Sequence, residues 1–122
     1  MVKLYGIPNC DTVKKARAWL QAQGVPFEFV DFKKTGAPAV LLHTWLDHPH
    51  GPDWQTLLNR RGTTWRTLPP QEQAAVTDAD TAVALMEAHP SAIKRPVVAW
   101  PDRVTVGFDV DAWANELTRL PT

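Results

Sequence analysis

The sequence predicts an α/β fold: a mixed four-stranded sheet carrying helices, with a helical insertion in the middle of the chain. Three observations predict it. An apolar alternation over residues 2–7 runs into a helical pattern and then into a second apolar stretch at 25–32, the pattern of a strand–helix–strand unit. Residues 38–90 carry only helical spacings, and after them the period returns to two, twice, before a last helix.

In the first unit, "VKLYGI" sets Val2, Leu4 and Gly6 against Lys3, Tyr5 and Ile7, and Pro8 stops the strand. From Asp11 onward Val13, Ala16, Trp19, Leu20 and Gln23 recur at helical spacing, with Lys14, Lys15 and Arg17 mostly off that face. Gly24 suits the position just past the helix end. "VPFEFVDF", residues 25–32, is rich in aromatic and β-branched residues and follows closely, so its strand is expected parallel to the first. Residues 33–36 close the unit.

In the middle, Leu41, Leu42, Trp45 and Leu46 predict one short helix, "GPDWQTLLN" a second, and "PPQEQAAV" a third with proline in its first turn. "TDADTAVALMEAHP" predicts a fourth, capped by Thr77 or Asp78, with Ala82, Val83 and Met86 on one face and Pro90 as the stop. "VVAW" and "RVTVGF" flank the turn signal Pro101-Asp102 and read as an antiparallel hairpin. In the last helix Asp109 is the cap, and Val110, Trp113, Ala114, Leu117 and Leu120 are expected on one side. The order β-α-β, helical block, β-β-α is the thioredoxin-like plan with an insertion in the crossover. One domain is expected over 1–122, with 1–36 and 91–122 as the sheet core and 38–90 as the insertion.

The totals narrow the function classes. At 122 residues and 44% hydrophobic content, the chain fills one ordinary core. Thirteen basic and thirteen acidic side chains cancel, so no overall positive field condenses on nucleic acid or an anionic membrane, and any anion site must be local. The first residues lack a signal peptide's apolar core, and no run approaches the length of a spanning helix. A cytoplasmic monomer with no nucleic-acid or membrane partner is expected. A lone cysteine makes no internal disulfide, which leaves packing, reactivity or a partner's sulfur.

That cysteine, Cys10, lies between the first strand and the first helix, where unpaired N–H groups and the helix dipole favour a thiolate. Asp11 opposes this, and Lys14 and Lys15 are expected to offset Asp11 in part. A free cysteine elsewhere in a chain is commonly inert core. The turn at Pro8 and Asn9, at the carboxyl edge of a sheet, favours the nucleophile instead.

Arg95-Pro96 opens a predicted strand, where proline is tolerated only at an edge or at the first position, and a cis bond is plausible there. Thioredoxin-like sheets carry such a proline opposite the cysteine, with adjacent backbone that pairs with an incoming chain. Arg95 would supply a forked cation for a carboxylate or oxyanion. "LLNRRGTTWRTL", residues 57–68, holds Arg60, Arg61 and Arg66 around a glycine, either a basic rim or a solvated face. His43, His48 and His50 lack metal-ligand geometry, so no metal is expected. Trp19, Trp45 and Trp113 fall on apolar helix faces and read as core rather than as base-stacking platforms.

Three stretches in order, "LYGIPNCDTVKKARAWL", "LLNRRGTTWRTL" and "IKRPVVAW", together with the order of elements, resemble the arsenate reductase and Spx family (ArsC/Spx), most closely its YffB-like branch. The likeness runs from Val2 to about Leu117. It implies a thioredoxin-like fold with a helical insertion and a nucleophilic Cys10. In the glutathione- and glutaredoxin-linked arsenate reductases the thiolate attacks arsenate and arginines hold the oxyanion. One of these matches Arg95, the middle one aligns with Asn59 with Arg60 and Arg61 adjacent, and the third falls on Phe108. The family's histidine before the cysteine corresponds to Gly6, and the second cysteine of the C-x-x-C switch common in Spx corresponds to Val13.

The function this implies is that of a glutathione-dependent monothiol reductase, a thiol-disulfide oxidoreductase with Cys10 as its catalytic residue. Pro96 would align the glutathionyl moiety, and Arg95 and Arg61, with Arg60 and Asn59 beside them, would hold carboxylates. Glutathione or another small thiol is the implied co-substrate, glutaredoxin a further partner, and no bound cofactor is needed. The alternatives are an arsenate or other oxyanion reductase, and an Spx-like non-enzymatic regulator that binds RNA polymerase.

Overall fold

The computed structural model describes residues 1–120, and its centre is β1 (Val2–Gly6). This strand pairs in parallel with β2 (Phe27–Asp31) and antiparallel with β3 (Val97–Ala99), which in turn pairs antiparallel with β4 (Val104–Val106). The sheet order is β2-β1-β3-β4, a mixed four-stranded sheet in the thioredoxin-like arrangement. Because β1 is covered on both faces, Val2, Leu4 and Tyr5 are all buried, and Gly6 with them.

Each face carries its own core. Val2, Leu4 and Val98 pack on Val13, Ala16 and Leu20 of α1 (Asp11–Ala22) and on Trp113 of α8 (Val110–Leu117). The α1 end is closed as foreseen: Gly24 takes φ +68°, Val25 N–H reaches Leu20 carbonyl at 3.0 Å and Gly24 N–H reaches Gln21 carbonyl at 3.1 Å. On the other face Tyr5 and Val97 pack with Phe32, Leu42, Trp45, Leu57 and Met86. These come from the middle segment: α2 (Phe32–Thr35), α3 (Ala39–Asp47), α4 (Trp54–Leu57), α5 (Thr63–Arg66), α6 (Pro70–Ala74) and α7 (Ala79–Ala88). Helices this short hold through packing and caps: Asp78 and Thr81 form a reciprocal capping box on α7, and Glu87 of α7 accepts the Ala39 N–H at the start of α3 at 2.6 Å.

Three expectations change, and one helix is added to the block expected to be helical. Phe32 leaves the strand and opens α2, because Asp31 caps that turn by accepting the Lys33 N–H at 2.9 Å. Within residues 57–68 the chain forms α5, a four-residue helix too short to show a period. Pro90 does not simply end α7 but begins a 3₁₀ turn, Pro90–Ala92. The buried side of α8 is Trp113, Glu116 and Leu117, while Val110 and Ala114 face out. Glu116 earns burial through two cations, Arg103 Nε at 3.4 Å and Arg119 Nη1 at 3.1 Å. No helix among the described residues is long and apolar enough to cross a membrane.

Candidate active site

The turn after β1 delivers Cys10 to the N-cap of α1, with extended backbone at φ −95° and ψ 125°. Lys14 N–H, bonded to the Cys10 carbonyl at 2.9 Å, makes the first helical bond, so the N–H groups before it have no partner within the helix. The helix can sit this close because β1 ends in glycine. A Cβ on Gly6 would lie 2.8 Å from Val13 Cγ2, so the position matched to the family's histidine has no room for a side chain.

Cys10 is half-buried against the core that holds Val13 and Trp113. Burial pushes its thiol up, but the N–H groups of Val13 and Thr12, together with hydrogen bonding and charge from Arg95, outweigh burial and leave it below the ordinary thiol range. The cation that acts on the sulfur is therefore Arg95. Lys14 and Lys15, expected only to offset Asp11 in part, are exposed and are not among the groups that set the shift, whereas the helix N–H groups are.

Arg95 is held in place by its neighbours. Its Nη1 donates to the Ser91 carbonyl at 3.0 Å, and its Nε is buried with no hydrogen-bond partner. The Arg95-Pro96 peptide is cis, and Pro96 is fully buried. The Pro96 carbonyl already accepts the Gly107 N–H at 2.8 Å. Among the described residues the Arg95 backbone, in a bend just before β3, makes no such bond to another backbone group, so the unbonded backbone here is that of Arg95 rather than of Pro96.

The remaining expected residues lie one step away. Segment 57–59 runs antiparallel to 92–94, with a Leu58–Ile93 bridge and bonds from Asn59 N–H to the Ala92 carbonyl and from Lys94 N–H to the Leu57 carbonyl, both 2.8 Å. Asn59, Arg60 and Arg61 line a cleft of about 500 Å³ together with Thr56 and Lys94, and neither Cys10 nor Arg95 borders it. Asn59 Oδ1 accepts the Arg61 N–H at 3.2 Å, and the Arg60 guanidinium lies over Trp54 at 5.3 Å and Trp65 at 5.9 Å. Phe108 packs on Trp113 at 4.8 Å, so no cation occupies that position. Sequence reasoning passed over Lys94 and Ser91. Lys94 could have been found from "IKRP", since a second cation beside Arg95 projects to the opposite side of an extended chain.

The arrangement brings together, at the carboxyl end of the parallel pair β1–β2, a thiol held below its ordinary range, the Arg95 guanidinium and the unbonded Arg95 backbone. The sequence model of the ArsC family matches residues 5–115. A solved structure of a YffB protein is 44% identical, covers 96% of this chain and 99% of its own, and superposes with a TM-score of 0.88. An arsenate reductase (ArsC) related protein from Brucella melitensis is 43% identical over 93% of this chain and 92% of its own, with a TM-score of 0.70. An uncharacterised protein from Haemophilus influenzae is 36% identical over 109 residues, 89% of this chain and 92% of that protein.

Proposed function

The chain belongs to the ArsC family, and from that premise we propose that it is a glutathione-dependent monothiol reductase of cytoplasmic mixed disulfides. The observation that carries the proposal is a thiol that the Val13 N–H, Arg95 and the Thr12 N–H together hold below its ordinary range, in a chain of 122 residues with no second cysteine. A resolving sulfur must then come from another molecule.

The Cys10 thiolate attacks the glutathione sulfur of a glutathionylated substrate, forming a Cys10–glutathione disulfide and expelling the substrate as its thiolate. A second glutathione thiolate attacks that disulfide, releases oxidised glutathione and restores Cys10. In net terms the substrate–glutathione disulfide and one free glutathione become the substrate thiol and oxidised glutathione, and the proton lost by the attacking glutathione thiol is taken up by the leaving substrate thiolate. The Arg95 backbone, preset by Pro96, aligns the glutathionyl chain, and the Arg95 guanidinium steadies the thiolates. Arg61, with Arg60 and Asn59 shaping its loop, takes a carboxylate.

Arsenate is the less well supported substrate. A small dianion would have Arg95 beside it, but Phe108 is locked in aromatic packing and Arg60 is stacked on Trp54 and Trp65. Each missing charged donor forgoes roughly 1.5 to 3 kcal/mol.

The test is the pH dependence of Cys10 alkylation with and without glutathione, alongside turnover of a glutathionylated small thiol. A half-maximal rate below that of free cysteine, slowed by glutathione, is expected, and Cys10→Ser should abolish turnover. Full turnover by Cys10→Ser, or a Cys10 that titrates like free cysteine and is unprotected, would overturn the reading in favour of a binding module.

A further inference from the structure

The open edge of the sheet carries a cleft that the reaction above does not use. β2 is outermost in the order β2-β1-β3-β4, so alternate residues between Phe27 and Asp31 turn their N–H and C=O groups away from the sheet. A cleft of about 430 Å³ follows that edge, from Pro8 in the Cys10 turn, along Glu28 to Asp31, to Lys34 and Thr35 of α2. Its helix-side wall is Arg17, whose guanidinium lies 4.2 Å from the centre of the Phe29 ring. Stacking on Phe29 fixes that cation beside the strand.

The charges in the cleft are unequally committed. Glu28 faces Lys3 at 3.9 Å, and Asp31 Oδ1 accepts the Lys33 N–H at 2.9 Å. Among the described residues neither Arg17 nor Lys34 has a carboxylate within 4.0 Å. Arg17 and Lys34 therefore flank the outward strand edge, whose carboxylates Glu28 and Asp31 are engaged by Lys3 and the Lys33 N–H. That edge ends, where the Asp31 carbonyl accepts from Thr35 Oγ1 at 3.3 Å, next to the loop that holds the nucleophile.

We propose that an extended, acidic segment of an oxidised protein substrate docks here, pairing with β2 as a fifth strand and carrying its disulfide past Pro8 to Cys10. The proposal rests on the thiol-reductase reading and names its substrate class: protein mixed disulfides flanked by acidic residues. Backbone pairing binds any extended chain, and Arg17 and Lys34 select the acidic ones. At about 3.3 Å per residue, four or five substrate residues span the edge. The covalent step is the one given above, with the peptide thiolate as leaving group.

The test compares two glutathionylated peptides, one with acidic and one with basic flanks, against a glutathionylated small thiol. The natural chain should prefer the acidic peptide about fivefold in kcat/KM, the scale of one or two exposed ion pairs. Arg17→Glu and, at an exposed site where folding is not at risk, Lys34→Glu should each erase or reverse that preference while small-thiol turnover persists. Equal use of both peptides by the natural chain, or an unchanged preference in Lys34→Glu, would overturn the docking proposal. If no disulfide is turned over at all, it is the thiol-reductase reading that falls. Docking is then decided by hydrogen exchange of the β2 amides with the acidic peptide joined to Cys10 through an activated disulfide. Slower exchange at alternate residues between Glu28 and Asp31 supports docking, and unchanged exchange rejects it.

Discussion

Cys10 and Arg95 form a pair in which the guanidinium accounts for part of the thiol's state. Burial alone would raise the thiol; N–H groups at the α1 start and the Arg95 guanidinium reverse the sign. Removing the guanidinium in Arg95→Ala should therefore move the alkylation midpoint upward and slow alkylation at neutral pH roughly tenfold or more, the scale of one charge-assisted hydrogen bond. A lysine at the same position should restore the charge without the fork and recover only part of the rate. Stopped-flow alkylation across pH, with glutathione KM measured in parallel, checks both. A thiol that titrates lower folded than unfolded adds stability above the unfolded value, and that stability is lost as pH falls through the folded one. Cys10 was legible from its strand–turn–helix setting. Arg95 was legible as a cation for a carboxylate or oxyanion; that its guanidinium acts on the sulfur itself was not, because Arg95 is remote in sequence and reaches Cys10 only through the pairing of β1 with β3.

Elements place that pair through close approach. Gly6 lets α1 descend onto β1 until Val13 is completely buried. Gly6→Ala should cost about 1 to 3 kcal/mol in urea unfolding, since a β-branched neighbour in a filled core cannot swing aside. Adding Val13→Ala should recover part of that loss, a coupling that a double-mutant cycle would read directly. At the far end of the chain Asp109 accepts the Asp111 and Ala112 N–H groups, so Asp109→Ala should cost about 1 kcal/mol by the same measurement. Long periodic helices and the hairpin were legible, as were the caps, because their signals are local. The four-residue α5 and the turn at Phe32 were not, since one turn contains no full period and is held by contacts rather than propensity.

For the whole molecule, the sheet separates two cores, and the one that supports the thiol is aromatic. Trp113 is 1% exposed and meets Trp100 at 5.4 Å, Phe108 at 4.8 Å and Trp19 at 5.9 Å. Trp113→Ala should cost about 3 to 5 kcal/mol, a large share of the roughly 5 to 15 kcal/mol that holds a domain folded, and urea titration followed by the remaining tryptophans would show it. Composition, hydrophobic period and turn chemistry were enough by themselves to determine the fold class, the order of elements and the candidacy of Cys10, because each is written in neighbouring residues. Only the tertiary structure decided that the Arg95 guanidinium acts on the sulfur beside the helix N–H groups, that Asn59, Arg60 and Arg61 line a separate cleft with Lys94, and that Arg17 and Lys34 flank an open strand edge. Those relations depend on strand order and helix docking, which bring distant residues together through long-range packing that no local pattern encodes.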